Sequence, residues 1–279
     1  MTKRGCPVFE HILVAMDFSP AGERLCGQLA RLRALGCRRL TLVHVIAASY
    51  GRVPDVSNRE HYQQRLETLA ASLREDGFET ATEVCIGPVI SELKRVAREQ
   101  GADVILSGTH GHSTLRDLFL GSNVLDLIRH TDLPILLAPT DQSLILPTTA
   151  VCRPLLATDG SAAAGAAEDA FIALLDQCRR AVVVSVGQWD DRPEYDSQRE
   201  YIKAHIEGLA QRASEPGFDT VLLGQGKPSV EIARVAAERD ADLIIIGKRG
   251  SNPITDLLLG STAEAVCRQA QRLVLIVPG

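Results

Sequence analysis

Gly108-Thr109-His110-Gly111, nine residues and then Gly121-Ser122 form a spacing that recurs as Gly247-Lys248-Arg249-Gly250, nine residues and Gly260-Ser261. Each glycine and the serine of the second copy stand 139 positions after their counterparts. Glycine allows a sharp turn and lets bare backbone approach a ligand. A helix opening just after it offers unpaired N–H groups and a partial positive charge, which suit a phosphate. The serine hydroxyl adds a donor and can cap that helix. Glycines also end strands, and serines cap helices, in proteins that bind nothing. Here the spacing persists while the intervening residues diverge, HSTLRDLFL against SNPITDLLL. Two similar anion sites are the chemistry to expect.

Other phosphate loops do not fit. The chain has no Gly-x-x-x-x-Gly-Lys-Ser/Thr. Gly224-Gln225-Gly226-Lys227-Pro228-Ser229 lacks the third glycine of a dinucleotide fingerprint and follows a weak strand, so it reads as a turn.

The elements that must position these residues repeat too. Glu92/Glu231, Arg95/Arg234, Val96/Val235, Ala97/Ala236, Glu99/Glu238, Ala102/Ala241 and Asp103/Asp242 coincide without a gap. Ile12 to Ser19 matches Leu155 to Ser161, with Asp17 opposite Asp159 at an offset of 142, so the second half has lost a net three residues in loops. A period this long is a domain duplication rather than a solenoid. Apolar runs predict buried strands at 12–15, 40–46, 104–106 and 135–138, and again at 155–157, 181–186, 243–246 and 273–277. Weaker strands are predicted at 80–84 and 220–223. Ser19-Pro20 reads as an N-cap and first helical proline leading into Leu25, Leu29 and Leu32, and Ser161 as the same device before Ala167, Phe171, Leu174 and Leu175. Tyr62, Leu66, Leu69 and Leu73, and Ile202, Ile206 and Leu209, give further helical stripes. Alternating strands and helices imply an α/β fold with parallel, doubly wound sheets. The expected domains are 8–140 and 152–279, joined by a proline-bearing polar linker.

The composition narrows the function. The chain has 279 residues, enough for two domains with real cores. A net charge of −5 argues against a nucleic-acid surface. No apolar run approaches the length of a membrane helix, and the basic start has no apolar core behind it, so neither a membrane span nor a signal peptide is expected. Seven scattered cysteines without Cys-x-x-Cys read as reduced, mostly buried thiols in a cytoplasmic protein.

On the repeated Gly-x2-Gly-x9-Gly-Ser, the first-strand Asp-x-Ser of Asp17-Phe18-Ser19 and Asp159-Gly160-Ser161, and His44-Val45 at the end of the second strand, the whole chain resembles a tandem universal stress protein. The resemblance implies two tandem five-stranded parallel sheets, each of order 3-2-1-4-5 and flanked by helices. It implies ATP, with Mg²⁺ as a possible companion, since relatives that carry the motif resemble ATP-binding proteins. In the first half it places adenine by Ala15, Asp17 and the Val45 backbone, and ribose and phosphates at Ser107, Gly108, His110, Gly111, Gly121, Ser122 and Asn123. The matching residues are Ala157, Asp159, Val186, Ile246, Gly247, Arg249, Gly250, Gly260, Ser261 and Thr262. Relatives pair through their last strands, which implies an intramolecular pseudo-dimer and allows a homodimer. The chain departs from the family at Ala15 and Ala157, where proline is frequent, at Arg249 in place of histidine, and at Ser185 opposite His44.

Single residues keep two readings. Asp17 and Asp159 can meet a ligand or make a local turn bond. His44 reads as structural, His112 and Arg116 as loop residues, and Trp189 as an exposed loop residue. The glutamates of 92–99 read as a solvated helix face. No nucleophile–base pair and no catalytic or resident metal-binding residues stand out, so a regulatory ATP-binding module is the leading expectation. Slow ATP hydrolysis or autophosphorylation at Ser122 or Ser261, and a nucleotide-independent scaffold, are the alternatives.

Overall fold

A computed structural model describes residues 9–47, 58–109, 120–139, 153–178, 180–189, 195–213, 217–250 and 259–279. The expected linker between the halves, His110, Gly111, His112 and Arg116 therefore lie outside the described residues.

The first half contains strands β1 (His11–Met16), β2 (Arg39–Ala47), β3 (Glu79–Gly87), β4 (Val104–Gly108) and β5 (Ile135–Ala138). Its helices are α1 (Pro20–Cys26), α2 (Arg59–Glu75), α3 (Val89–Gln100) and α4 (Ser122–His130). The second half repeats the order with β6 (Pro154–Ala157), α5 (Gly165–Leu175), β7 (Ala181–Val186), α6 (Asp196–Arg212), β8 (Phe218–Leu223), α7 (Pro228–Glu238), β9 (Leu243–Gly247), α8 (Ser261–Gln269) and β10 (Leu273–Val277). Each expected strand is present, most of them one to a few residues longer than its apolar run.

Each half is a parallel sheet of order 3-2-1-4-5, as the resemblance implies. The two are joined edge to edge into one ten-stranded sheet, β3-β2-β1-β4-β5-β10-β9-β6-β7-β8. The seam is antiparallel, with Leu137 opposite Val274, Leu136 opposite Leu275 and Ile135 opposite Ile276. Successive side chains of a strand point to opposite faces, and the core follows that rule across the seam. Ile12, Val14, Leu106, Leu136, Leu156, Ile245 and Leu275 pack on one face with α1, α2, α5 and α6. Leu13, Ile105, Leu137, Leu155, Ile244 and Ile276 pack on the other with α3, α4, α7 and α8. Both layers draw on both halves, so the duplicated units share their core.

The first helix of each half departs from the sequence expectation, at its end in the first half and at its start in the second. Ser19 caps α1 as expected, its Oγ accepting from Gly22 N at 3.0 Å. The helix then breaks after Cys26, and Leu29, Leu32 and Leu35 continue the buried stripe on a 3-10 turn. Ser161 precedes a 3-10 turn of Ala162–Ala164 and makes no side-chain cap; its buried Oγ has no protein partner. Its backbone N–H instead donates to Asp159 Oδ1.

Candidate functional site

In a doubly wound sheet, ligands bind where the strand order reverses, beyond the carboxyl ends of the strands. In this fold that point lies between β1 and β4, and between β6 and β9. A cavity stands at each. The first has a volume of about 440 Å³, the second about 310 Å³, both within the range of small-molecule sites.

Ala15, Asp17, Val45, Ser107, Gly108, Gly121, Ser122 and Asn123 all line the first cavity. Ala157, Asp159, Val186, Ile246, Gly247, Arg249, Gly250, Gly260, Ser261 and Thr262 all line the second. The structure thus brings together every described residue of each set, around one opening per half.

The spacing of the glycine motif has a local cause. Gly121 N donates to the Thr109 carbonyl at 3.2 Å, and Gly260 N donates to the Lys248 carbonyl at 2.9 Å. These bonds stitch the residue after the strand to the residue before the helix, so the motif's two ends meet. Gly121 and Gly260 are the N-caps of α4 and α8, both extended, with ψ of 140° and 141°. Ser122 and Ser261 are therefore first helical residues and make no cap bond, in contrast to the capping role open to them in the sequence. A helix leaves its first N–H groups without intrahelical acceptors, and these starts border the cavities.

The other two glycines of the second motif leave no room for a side chain. A Cβ at Gly250 would stand 2.7 Å from Asp159 Oδ2, and one at Gly247 would stand 2.9 Å from the Arg249 carbonyl.

Asp17 and Asp159 combine both sequence readings geometrically. Asp17 Oδ1 accepts from Ser19 N at 3.0 Å and from Ser19 Oγ at 2.8 Å, a local turn bond. Asp159 Oδ1 accepts from Ser161 N at 3.0 Å. Both aspartates also line the cavities.

Sequence reasoning missed the apolar walls. Val43, Val89, Ile90 and Leu93 line the first cavity, and Val184, Pro228 and Ile232 the second. For Val89, Ile90, Leu93, Pro228 and Ile232 the signal was the apolar stripe at the start of α3 and α7, whereas Val43 and Val184 lie on the strands β2 and β7. The segment 224–226 is a bend, as expected, but Pro228 beyond it belongs to the cavity wall. His44 is buried, with Nδ1 2.8 Å from the Met16 carbonyl and its ring 4.1 Å from that of Tyr62; it also lines the cavity. Trp189 departs from its expectation: it is half-buried, packs against the core and lies close over Gly187.

The glutamates of α3 are not merely solvated. Arg95 bonds Glu92 and Glu99 along the helix and reaches Glu83 at 2.7 Å, and Arg234 repeats the pairs with Glu231 and Glu238. Four of the described thiols are poor nucleophiles. Burial pushes Cys26 up to about 11, and Cys37, Cys85 and Cys267 up to about 12, so they stay protonated at neutral pH.

The cavities fit a nucleotide. Each joins an apolar wall to a polar end made of glycine backbone, a helix start and a serine hydroxyl. Among the described residues no group of three His, Cys, Asp or Glu could hold an ion. Were a Mg²⁺–nucleotide to occupy a cavity, Asp17 or Asp159 would be the lining carboxylate available to its ion. Among the described residues no helix is long and apolar enough to cross a membrane.

Comparisons with known proteins agree with this architecture. The sequence profile of the universal stress protein family matches residues 9–139 and 153–278. Universal stress protein Rv2623 of Mycobacterium tuberculosis is 26% identical over 290 residues, covering 95% of each chain. Universal stress protein MJ0577 of Methanocaldococcus jannaschii is 23% identical over 159 residues, 49% of this chain and 98% of its own. The crystal structure of a universal stress protein from Archaeoglobus fulgidus superposes with a TM-score of 0.75 at 19% identity, covering 96% of this chain and 98% of that one. With the family profile matched once in each half, the chain belongs to the universal stress protein family as a tandem of two of its domains.

Proposed function

We propose that each half binds one ATP and that the protein acts as a nucleotide-responsive regulatory module in a stress response, through ATP-dependent conformation or association. The observation that carries this reading is the convergence of all described motif residues on a cavity at the topological switch point of each half. The base lies against the apolar wall from α3 or α7. The phosphates lie at the start of α4 or α8, against the glycine backbone. Arg249 adds a cation in the second half, whose cavity is the smaller. The two affinities therefore differ. The reading also takes the protein to be cytoplasmic and able to pair with a second copy, and it assigns no nucleic-acid partner.

Calorimetric titration with Mg-ATP tests it. Two binding events with unequal constants are expected. No heat at millimolar ATP, with the protein folded, overturns the reading.

A second reading has one observation in its favour: Ser122 and Ser261 present hydroxyls at the rims of the cavities. Slow phosphate transfer to either serine would appear as a mass increase of one phosphate after incubation with ATP. It would be lost at that site in Ser122→Ala or Ser261→Ala.

A further inference from the structure

Lys248 follows the first glycine of the second motif, yet its side chain leaves the second half. The residue is only 5% exposed. Its Nζ donates at 2.7 Å to the carbonyl of Arg129, in the last turn of α4. That helix belongs to the first half, and its other end, Ser122, lines the first cavity. Lys248 itself stands between Gly247 and Arg249, which both line the second. One side chain thus spans from the loop of one cavity to the helix of the other.

The backbone of Lys248 is held on two sides. Its N–H donates to Val277 at the end of β10 at 2.7 Å, and its carbonyl accepts from Gly260 at the start of α8. The ammonium meets the negative end of α4, where the last carbonyls lack helical donors and a cation is favoured. Helix α4 has nine residues, so its two ends are about 13 Å apart.

The matching position of the first half carries a shorter side chain. Thr109 occupies the matching position, and its side chain ends one atom beyond Cβ. The lysine bridge runs from the second loop to the first half's helix.

We propose that Lys248 couples the two cavities, so that a nucleotide on the second glycine loop changes affinity at the first by shifting or fixing α4. The inference rests on the reading that both cavities bind ATP. A ligand drawn to Arg249 and the start of α8 acts on the backbone that carries Lys248. The lysine transmits that change to the last turn of α4, whose first turn borders the other phosphate position. Coupling is reciprocal, so occupancy of the first cavity acts equally on the second.

The test is a calorimetric cycle with Mg-ATP. Ser122→Glu and Ser261→Glu each place a carboxylate where phosphate would lie, leaving one site open per protein. An acidic residue in a first turn suits the helix, so these variants keep the fold. In the wild type, the overall constant for two ligands is expected to differ from the product of the single-site constants by about fivefold or more. In the Lys248→Met background, the two are expected to agree within about twofold, and Lys248→Arg restores the difference. Unliganded Lys248→Met is also expected to show faster amide exchange at residues 127–131 than the wild type.

Coupling that persists in Lys248→Met overturns the proposal. So does a wild type whose two sites bind independently, or unchanged exchange at the end of α4. No binding in the wild type or in either single-site protein overturns the nucleotide reading itself, and the coupling with it.

Discussion

The turns that follow the first strand of each half, Asp17-Phe18-Ser19 and Asp159-Gly160-Ser161, serve matching cavities but are supported in opposite ways. Phe18 takes a left-handed φ of 53°, uncommon for a bulky residue. Its ring lies 5.0 Å from that of His44 and 5.5 Å from that of Tyr62, with the Arg65 guanidinium 4.1 Å above it. Cys26 and Met16 complete this apolar support, their sulfurs 3.9 Å apart. In the second half the left-handed position is Gly160, with φ of 71°. The support beneath it is polar. Glu168, only 2% exposed, accepts from Thr158 Oγ1 at 2.6 Å and lies 2.8 Å from His205 Nε2. Thr158 Oγ1 accepts from Gly160 N, and Tyr201 donates to the Gly160 carbonyl. One half stacks rings over a strained turn; the other places a glycine there and bonds it on both sides. Duplication has kept the aspartate and serine of the turn and exchanged the residues that support it.

The largest expected effect of breaking this contrast is at Glu168. Glu168→Ala leaves the Thr158 hydroxyl and His205 without their acceptor and opens a cavity. A loss of about 3 kcal/mol is expected, read from denaturant unfolding. Cys26→Ala, at the matching position of the first half, removes one weak sulfur contact and is expected to cost about 1 kcal/mol. Equal losses would show that the buried carboxylate is no more than space-filling.

Gly160→Ala is the next test. The new Cβ would stand 3.1 Å from Ile202 Cδ1 and force a side chain onto a positive φ. About 1–2 kcal/mol of destabilisation is expected, a fall in melting temperature of about 2–4 °C per kcal/mol for a chain of this order of size. Phe18→Gly relieves the same backbone strain but removes the stacked ring, so it also destabilises, through packing. A stabilised Phe18→Gly would mean that the aromatic support is not holding the first turn.

Arg249 separates the cavities by charge. Arg249→Ala is expected to weaken ATP at the second site about tenfold, the scale of one charge-assisted bond, while the first site of a Ser261→Glu protein is untouched by it. The loss should be greater at low salt, where charges are less screened. An unchanged second constant would place the difference between the halves in cavity shape alone.

Much of this comparison was visible in the chain, and the rest was hidden for a physical reason. Strands such as 135–138 and 273–277 are short apolar runs, and the glycine–serine spacing is a local rule of turn and helix start, so both can be read along the sequence. The supports depend on residues far apart: Glu168 and His205 are separated by 37 positions, Tyr201 and Gly160 by 41, and Lys248 and Arg129 by 119. No local period encodes such pairs. Glu168 did carry a signal, because it shares a helical face with Phe171 and Leu175, both buried. A carboxylate on an apolar stripe must be bonded or absent from the core. Asp103 and Asp242 carried another. Each accepts from an amide at the start of its half's first strand, that of His11 at 2.7 Å and that of Arg153, just before β6, at 3.1 Å.

That last pair gives the smallest expected effect, a pH dependence that arises at His11. His11 is 1% exposed; its Nε2 lies 2.8 Å from Thr41 Oγ1 and its Nδ1 3.2 Å from the Gly101 carbonyl. Burial, and then the charge of Arg39, hold its pKa below the ordinary histidine value of 6.5; the Gly101 carbonyl and Asp103 oppose them. The folded protein therefore favours neutral His11 more than the unfolded chain does. Its contribution is fully present above pH 6.5 and is lost as pH falls through the lowered folded value. The matching residue is Arg153, charged throughout this range and bonded to Asp242 Oδ1 at 3.0 Å. His11→Gln is expected to narrow the difference in melting temperature between pH 7.5 and pH 5, with the wild type losing the more on acidification. Arg153→Gln is expected to lower both temperatures alike. A wild type and a His11→Gln protein with parallel pH profiles would remove His11 as a source of asymmetry. The differences between the halves would then lie in the turns and the second glycine loop.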